Sequence, residues 1–496
     1  MTTRIQHWIS GLRSDLASTR TAPVHNPATG ERTGEVLLAS SDDVAAAVAS
    51  AVEAAQEWRE SSLSRRSAVL FAFRQLLHDR SDELAAIVTA EHGKVLGDAA
   101  GEIARGLENV EFATGVPNLL KGGYSDQAST GVDVYSLRQP LGVVAGITPF
   151  NFPVMVPLWM CANAIAAGNA FVLKPSEKDP SASLFLAELW QEAGLPDGVF
   201  TVLHGDKEAV DGLLTHPDVA AVSFVGSTPV ARHIYETGTR NGKRVQALGG
   251  AKNHMVVLPD ADVDLAADAA VSAAYGAAGE RCMAISVVVA VGSAADPLVD
   301  AIATRLPKLV VGDGAAPGTD MGPLITAEHR DRVASYVGAG AEAGATVVVD
   351  GREADVPQAG FFLGTTLLDN VTPDMTVYTD EIFGPVLSMV RVATYDEALA
   401  LVNSNTYANG TAIFTRDGGA ARRYQHVVEV GMVGINVPIP VPVAYYSFGG
   451  WKASLFGDSH MYGQDGLNFY TRAKVVTSRW PDPATSEVDL GFPRTR

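Results

Sequence analysis

From Gly142 onward, short apolar runs alternate with helical segments, and this alternation constrains the fold more than any other feature of the chain. Four of the runs predict strands, at 143–147, 170–173, 199–203 and 220–225. Strands separated by helices are typical of a parallel sheet with helices on its faces. Small, polar or basic residues follow three of these strands, and such sheets bind ligands at that edge. The sequence therefore predicts an α/β fold with a ligand site at the carboxyl ends of the strands.

The segments before and after this region predict further elements. On the amino-terminal side, a hairpin is expected at 21–36, followed by a helix at 41–60 that residues 41–43 would cap. Further helices are expected at 65–80, 82–92 and 98–112, and an exposed hairpin at 122–138. On the carboxyl-terminal side, a second α/β segment extends to about Tyr446 and a β-like run follows in the tail, with strands near 346–349, 386–392, 410–414 and 473–478.

Length and composition limit the possible classes of function. A chain of 496 residues is too long for one ordinary core, so we expect two or three domains. A hydrophobic content of 47% with 19% charged residues is typical of a soluble globular enzyme. The formal charge of −19 argues against a nucleic-acid-binding surface. We find neither an apolar run as long as a membrane span nor a signal core, so we expect a cytoplasmic protein without a membrane partner.

The two cysteines, Cys161 and Cys282, provide neither a disulfide framework nor a zinc cluster, and we expect no metal. Cys282 lies on a short connection between a helix expected at 262–278 and a strand expected at 286–291. The neighbouring Arg281 could favour the reactive thiolate, or it could hold a substrate carboxylate through a bidentate fork. The alternative is that Cys282 is a small buried hydrophobic residue beside a surface arginine.

Three other positions carry polar groups that suit a ligand. The turn at Ser227 precedes a helix and could receive a pyrophosphate, although no GxGxxG fingerprint follows any of the strands. Lys174 and Glu177 follow a strand and could bind ribose hydroxyls, or they could belong to a solvated loop. Asn151 lies between two phenylalanines, and its side-chain amide could donate to an oxyanion. The histidines show no metal-ligand spacing, and we interpret them as structural.

Considered together, these motifs resemble the aldehyde dehydrogenase superfamily over roughly residues 20–480. The order and spacing of five motifs carry the resemblance: TPFNFP at 148–153, LKPSE at 173–177, FVGST at 224–228, GERC at 279–282 and EIFGPV at 381–386. The chain also resembles the CoA-acylating methylmalonate-semialdehyde (malonate-semialdehyde) dehydrogenase branch. This narrower match depends on GAKNH at 250–254, AAGERCMAIS at 277–286 and the segment 101–111 around Arg105.

The chain departs from most of the superfamily at one catalytic position. Most members carry a glutamate before the Gly-Gly-Lys motif, where it activates water, whereas Leu248 or Ala247 occupies that position here. Neither side chain can act as a base. Glu280 is a conceivable substitute, but adjacent side chains on an extended loop tend to point apart, so we discount it.

The resemblance implies the aldehyde dehydrogenase fold, with a Rossmann-like NAD-binding domain, an α/β catalytic domain and a small β oligomerisation unit. The corresponding boundaries are 1–121 with 141–247, then 248–450, and finally 122–140 with 465–480. It also implies a homotetramer or a homodimer. Small-molecule partners would be a semialdehyde substrate, NAD and coenzyme A as co-substrate, although no CoA-binding motif is recognisable.

The resemblance further implies a role for each site residue. Cys282 would be the nucleophile and Asn151 the oxyanion donor, while Arg105 and Arg281 would bind the substrate carboxylate. The cofactor contacts would come from eight residues, namely Thr148, Phe150, Lys174, Glu177, Lys178, Ser227, Gly249 and Glu381. Glu177 near the ribose would repel a 2′-phosphate, so NAD is expected in preference to NADP. Two rivals to this interpretation are a hydrolytic aldehyde dehydrogenase and a non-enzymatic protein that keeps the fold.

Overall fold

The computed structural model describes residues 3–485, 488 and 490. Met1 and Thr2, at the start of the predicted NAD-binding domain, lie outside the described residues. Both cysteines are free. Within the described part of the chain, no helix is long and apolar enough to span a membrane. No group of three His, Cys, Asp or Glu side chains among the same residues is placed to hold a metal ion.

Within the described residues, twenty-three strands form five sheets. In chain order they are β1 Thr3–Ile5, β2 His7–Ile9, β3 Leu12–Ser14, β4 Arg20–His25, β5 Arg32–Leu38, β6 Tyr124–Ser129, β7 Val132–Pro140, β8 Val143–Ile147, β9 Ala170–Lys174, β10 Phe200–Val202, β11 Val219–Val225, β12 Arg244–Leu248, β13 Asn253–Val257, β14 Ile285–Val291, β15 Thr346–Val349, β16 Thr366–Asp369, β17 Val386–Val392, β18 Tyr407–Ala408, β19 Gly410–Phe414, β20 Met432–Ile435, β21 Trp451–Lys452, β22 Leu455–Phe456 and β23 Thr471–Arg479.

Sixteen α-helices in the same described part of the chain connect and cover these strands. In chain order they are α1 Ser41–Arg59, α2 Leu63–Asp79, α3 Ser81–His92, α4 Leu96–Thr114, α5 Val116–Leu119, α6 Met155–Ala166, α7 Ser181–Glu192, α8 Lys207–Thr215, α9 Thr228–Arg240, α10 Val263–Tyr275, α11 Ala295–Ala303, α12 Ala327–Glu342, α13 Thr376–Thr379, α14 Tyr395–Ser404, α15 Gly418–Val427 and α16 Gly463–Phe469.

The largest sheet has eight strands in the order β22-β12-β11-β8-β9-β10-β2-β3. Its five central strands, β12 to β10, pair in parallel, and they include the four strands predicted from the alternation. Every residue of β8 and β9 is buried, because helices cover both faces of the sheet. The second large sheet has seven strands in the order β15-β16-β17-β14-β13-β19-β20 and is parallel except at β15. The α/β fold expected from the sequence is confirmed.

A separate three-stranded sheet joins two distant parts of the chain. The hairpin β6–β7 pairs through β7 with β23, in an antiparallel register from Thr471 opposite Pro140 to Arg479 opposite Val132. The sequence predicted each of these strands separately. Their pairing spans more than 300 residues, so a local pattern could not show it.

Three local expectations are wrong. The helix expected to reach Ala278 ends at Tyr275, because Ala277 and Ala278 adopt left-handed backbone angles with φ of 51° and 53°. Helix α1 is capped by Ser40, whose hydroxyl accepts from the Asp43 N–H in a capping box, and not by residues 41–43. The first strands, β1 to β3, lie in a segment for which the sequence predicted no structure.

A buried ion pair ties the amino-terminal helices to the edge of the large sheet. Lys94 follows α3 and donates from Nζ to Glu102 on α4 at 2.8 Å and to the backbone oxygen of Asn151 at 2.6 Å. The other oxygen of Glu102 accepts from the N–H groups of Val154 and Met155, where α6 begins. Both charged side chains are fully buried. This network fixes the loop between β8 and α6.

We expect Lys94→Met to lower the free energy of unfolding by roughly 3–5 kcal/mol, because removing one partner leaves an unpaired buried charge. Urea unfolding followed by tryptophan fluorescence would measure the change. Lys121→Met, at an exposed lysine, is the matched control and should shift the free energy by less than about 0.5 kcal/mol. Equal effects of the two substitutions would contradict the role given to Lys94.

Candidate active site

Two cavities meet at Cys282. The first has a volume of about 290 Å³ and is lined by Phe150, Asn151, Ser227, Gly249 and Glu381 among others. The second has a volume of about 270 Å³. Its lining includes Cys282 and the two arginines predicted to bind the substrate carboxylate, Arg105 and Arg281. Apolar side chains form much of the rest of its wall, namely Phe152, Met155, Trp159, Met283, Ile439, Val441 and Phe448. The cysteine is thus accessible from two sides.

The parallel strands explain why the first cavity collects polar residues. Asn151, Ser227 and Gly249 follow β8, β11 and β12, three adjacent strands of the large sheet, at their carboxyl ends. Glu381 comes from the other side, on the loop before β17 of the second sheet. Its Oε1 accepts from the Ala251 N–H at 2.8 Å, which joins the two sheets across the cleft. Burial raises the pKa of the Glu381 carboxyl to about 7.

The cleft has groups that suit an anionic ligand. At its edge, Gly249 packs tightly against the chain, since a Cβ there would lie 2.7 Å from the Ala453 oxygen. Ser227 precedes α9 and makes no side-chain cap, which leaves the first N–H groups of this helix available to an anion. The Thr148 hydroxyl is buried and has no hydrogen-bond partner among the described residues.

The remaining predicted cofactor residues lie beside the cleft. Thr148 follows β8, Lys174 ends β9, and the Thr148 N–H donates to the Lys174 oxygen at 3.1 Å. The Lys174 ammonium pairs with Glu177 at 3.6 Å, and Lys178 lies one residue farther along the same loop. None of these four residues is among those that line the 290 Å³ cleft. The contacts of Lys174 and Glu177 with the adenosine ribose, and the cofactor contacts of Thr148 and Lys178, remain predictions.

The backbone around Cys282 is held from both sides. The carbonyl of Cys282 accepts from the side-chain amides of Asn253 at 2.9 Å and Asn409 at 3.2 Å. On the amino-terminal side, Gly279 has φ of 74°, and a Cβ there would lie 2.3 Å from the Gly384 oxygen. Left-handed backbone at consecutive non-glycine residues costs free energy and is often found at functional sites.

The sequence suggested that Arg281 would favour the Cys282 thiolate, and Arg281 does lower the pKa of this thiol. Burial and the nearby Glu381 carboxylate outweigh that effect and raise the pKa to about 12. The guanidinium of Arg281 instead donates to Asp98 at 2.7 Å. The second suggestion, that Arg281 faces a substrate, is compatible with its position in the 270 Å³ cavity.

Asn151 is placed to donate a hydrogen bond. Its residue is buried, it lines the cleft next to Cys282, and its side-chain amide makes no hydrogen bond to any residue that the structure describes. Lys94 donates to the backbone oxygen of Asn151, which holds the backbone that carries the amide in place. A side-chain N–H donor positioned beside a nucleophile suits an oxyanion that forms in the reaction.

No strong general base lies where hydrolytic relatives carry one. Leu248 is buried at the end of β12 and packs in the core. The Glu280 carboxyl is buried, accepts from the Ile325 N–H at 3.2 Å, and has its pKa raised well above the usual range by burial. His329 lines the cleft, but its Nε2 bonds the Phe383 oxygen at 2.7 Å and burial lowers its pKa to about 4. The latter two groups are unsuited to take a proton from water at neutral pH.

Sequence reasoning missed several residues that shape the site. Asp98, Lys94 and Glu102 act through contacts across the fold, and nothing in their local sequence shows those contacts. Asn253 belongs to the GAKNH motif, and that motif was the available signal for its role beside Cys282. Asn409 and His329 carry no recognisable motif.

Comparisons with known proteins identify the family. The model of the aldehyde dehydrogenase family matches residues 15–476. Malonate-semialdehyde dehydrogenase of Pseudomonas aeruginosa is 56% identical over 478 residues, which cover 96% of each chain. Malonate-semialdehyde dehydrogenase 2 of Geobacillus kaustophilus is 49% identical over 484 residues, covering 97% of this chain and 100% of the relative.

Solved structures give the same result. Methylmalonate-semialdehyde dehydrogenase from Oceanimonas doudoroffii superposes with a TM-score of 0.96 at 55% identity, covering 98% of this chain and 100% of the other. A protein from Sinorhizobium meliloti, named as a methylmalonate-semialdehyde dehydrogenase and complexed with NAD, has a TM-score of 0.96 at 53% identity with the same coverage. The chain therefore belongs to the aldehyde dehydrogenase family, in its branch of methylmalonate- and malonate-semialdehyde dehydrogenases.

Proposed function

We propose that the protein oxidises and decarboxylates malonate or methylmalonate semialdehyde, with NAD as oxidant and coenzyme A as acyl acceptor. The products are acetyl-CoA or propionyl-CoA, CO2 and NADH. One observation carries this proposal. A cavity lined by two arginines opens on the cysteine nucleophile, while a leucine occupies the position of the hydrolytic base. The names of the relatives support the substrate class.

The first step joins the aldehyde to Cys282. The thiol releases its proton to water, the thiolate sulfur attacks the carbonyl carbon, and the oxygen of the resulting thiohemiacetal becomes negatively charged. The Asn151 amide and the backbone N–H of Cys282 stabilise that oxygen. Arg105 and Arg281 bind the carboxylate at the other end of the substrate, which orients the aldehyde towards the sulfur.

NAD bound in the 290 Å³ cleft would accept the hydride that converts the thiohemiacetal to a thioester. Ser227 and the start of α9 would hold the pyrophosphate, and Glu381 the nicotinamide ribose. Lys174 and Glu177 would bind the adenosine ribose. Further cofactor contacts would come from Thr148, Phe150, Lys178 and Gly249. Each role is inferred from the family and from the position of these residues at or beside the strand ends.

The acyl-enzyme then loses CO2 and is transferred. The bond between the carboxylate carbon and the α-carbon breaks, its electrons enter the thioester carbonyl, and the enolate takes a proton from water. The thiolate of coenzyme A attacks the remaining thioester and releases Cys282. Because coenzyme A brings its own nucleophile, this step needs no strong protein base. Leu248 and Glu280 are both buried, and neither acts as a general base. Their positions therefore support acyl transfer to coenzyme A over hydrolysis.

We also propose the domain division and the assembly that the sequence predicted. The cofactor domain would comprise residues 1–121 and 141–247, the catalytic domain 248–450, and the oligomerisation elements 122–140 and 465–480. Strand β23 has no pairing partner on its outer side among the described residues, and Val475 and Trp480 on and beside it are exposed. An open strand edge with exposed apolar residues supports a homodimer or homotetramer.

We expect Cys282→Ala to abolish NADH formation while NAD binding stays nearly intact, because the substitution removes only the nucleophile. Isothermal titration with NAD and an absorbance assay at saturating substrate would measure the two properties. Cys161→Ala is the matched control, since Cys161 is fully buried in α6. If Cys161→Ala inactivated the enzyme and Cys282→Ala did not, the assignment of the nucleophile would be wrong.

We expect Arg105→Ala and Arg281→Ala each to reduce kcat/KM for malonate semialdehyde by on the order of ten- to a hundredfold. Each charged hydrogen bond to a carboxylate is worth roughly 1.5–3 kcal/mol. The loss with propanal, which has no carboxylate, should be much smaller. Steady-state kinetics on both aldehydes would test this, and equal losses on the two substrates would refute the carboxylate clamp.

The proposed acyl transfer predicts that turnover depends on coenzyme A. Without it, we expect one rapid burst of NADH per active site followed by slow turnover, because a missing base slows hydrolysis by about 10²–10⁴-fold. With it, acetyl-CoA and CO2 should form in proportion to NADH, as product analysis would measure. Rapid steady turnover in CoA-free buffer, with a carboxylic acid as the main product, would favour the hydrolytic alternative.

A further inference from the structure

Both arginines of the 270 Å³ cavity already have a carboxylate partner on helix α4. Arg281 Nη2 donates to Asp98 Oδ1 at 2.7 Å. Arg105 Nη1 donates to both carboxylate oxygens of Glu108, at 3.0 and 2.9 Å. The formal charges of these four side chains cancel. A substrate carboxylate that enters the cavity therefore meets two neutralised cations and not a doubly positive clamp.

The two ion pairs differ in the position of the acid. Asp98 lines the cavity together with Arg105, Arg281 and Cys282, whereas Glu108 is not among the lining residues. The side chains of Arg281 and Asp98 are 19% and 25% exposed, so water screens their charges only in part. Asp98 is thus the acid next to the place that a substrate carboxylate would occupy on Arg281.

A second contact, independent of Asp98, holds the guanidinium of Arg281. The group lies against Gly276, where a Cβ would be 2.3 Å from Nη1 and 2.5 Å from the central carbon. An asparagine at position 98 would keep the shape of the side chain and an oxygen that accepts from Nη2. Asp98→Asn should therefore remove the negative charge and leave Arg281 in place.

We propose that Asp98 is a specificity-determining residue that weakens the hold of Arg281 on the substrate carboxylate. This inference rests on the proposed function, in which the carboxylate must leave as CO2. During that step the negative charge moves from the carboxylate to the thioester oxygen. A contact that is stronger with the carboxylate than with the transition state slows the step. By neutralising Arg281, Asp98 limits the stabilisation of the carboxylate and favours its departure.

The test compares wild-type enzyme with Asp98→Asn, using 3-hydroxypropionate as the probe. This molecule carries the same carboxylate at the same chain length and has no aldehyde to react. We expect its inhibition constant to fall by about two- to fivefold in the variant, the range for a partly exposed ion pair. Acetyl-CoA formation from malonate semialdehyde should slow. An inhibition constant that is unchanged or raised overturns the proposal, as does acetyl-CoA formation at the wild-type rate.

Three further variants control the test. Glu111→Gln removes an acid from the opposite side of the same helix, where it pairs with Arg74, and should leave the inhibition constant unchanged. Asp98→Glu retains the charge and should behave like wild-type enzyme. If Asp98→Asn does not fold, Asp98→Ser removes the same charge and should lower the inhibition constant in the same way.

The wild-type measurements separate this inference from the proposed function. If wild-type enzyme oxidised malonate semialdehyde no better than propanal and 3-hydroxypropionate did not inhibit it, the proposed function would fail, and the role of Asp98 with it. If wild-type enzyme showed both the preference and the inhibition, but Asp98→Asn did not tighten binding, only the role of Asp98 would be wrong.

Discussion

The buried ammonium of Lys94 is the interaction on which the geometry of the site depends. Burying two charges costs several kcal/mol per ion, and good geometry with further hydrogen bonds must offset that cost. Here Lys94 bonds the backbone oxygen of Asn151, and its partner Glu102 bonds the first N–H groups of α6. The same pair therefore sets the position of the oxyanion donor and the direction of the helix behind the substrate cavity. Movement of the loop between β8 and α6 would break the hydrogen bonds that Lys94 and Glu102 make to its backbone. These bonds therefore hold the backbone that carries the Asn151 amide in place.

The nucleophile is rigid for a different reason. The side-chain amides of Asn253 and Asn409 donate to the carbonyl of Cys282. The left-handed backbone angles of Ala277 and Ala278 further restrict the conformations open to the loop before Cys282. Its environment disfavours the thiolate, since burial and Glu381 both raise the pKa of the thiol. Arg281 offsets this effect only in part, and its guanidinium is already bonded to Asp98.

Much of the fold could be predicted from the sequence, because parallel strands are local apolar runs with clear ends. The strands at 143–147, 346–349, 386–392 and 410–414 lie where their patterns placed them. Motif order further predicted that Cys282, Asn151 and Glu381 belong to one site, and all three line the same cleft. The end of α10 could not be predicted, since a run of alanines favours helix until the tertiary structure imposes left-handed angles. The partners of Lys94 and Arg281 depend on contacts across the chain, and no local pattern encodes them.

The charge arrangement around the cavity suggests how one fold can support either hydrolysis of an acyl-enzyme or its decarboxylation and transfer to coenzyme A. Hydrolysis requires an ionised base near the thioester, whereas a leaving carboxylate requires that little negative charge face the enolate as it forms. Replacing the base by Leu248 removes one negative charge from that region, and pairing Glu102 with Lys94 neutralises another. The acid that remains in the cavity, Asp98, is bonded to Arg281, on the side where the carboxylate would bind. The absence of the base and the neutralisation of Arg281 by Asp98 would then act on the same step. The first leaves less negative charge near the thioester and the second weakens the hold on the carboxylate, so that the electrons released with CO2 can move towards the carbonyl oxygen and the Asn151 amide.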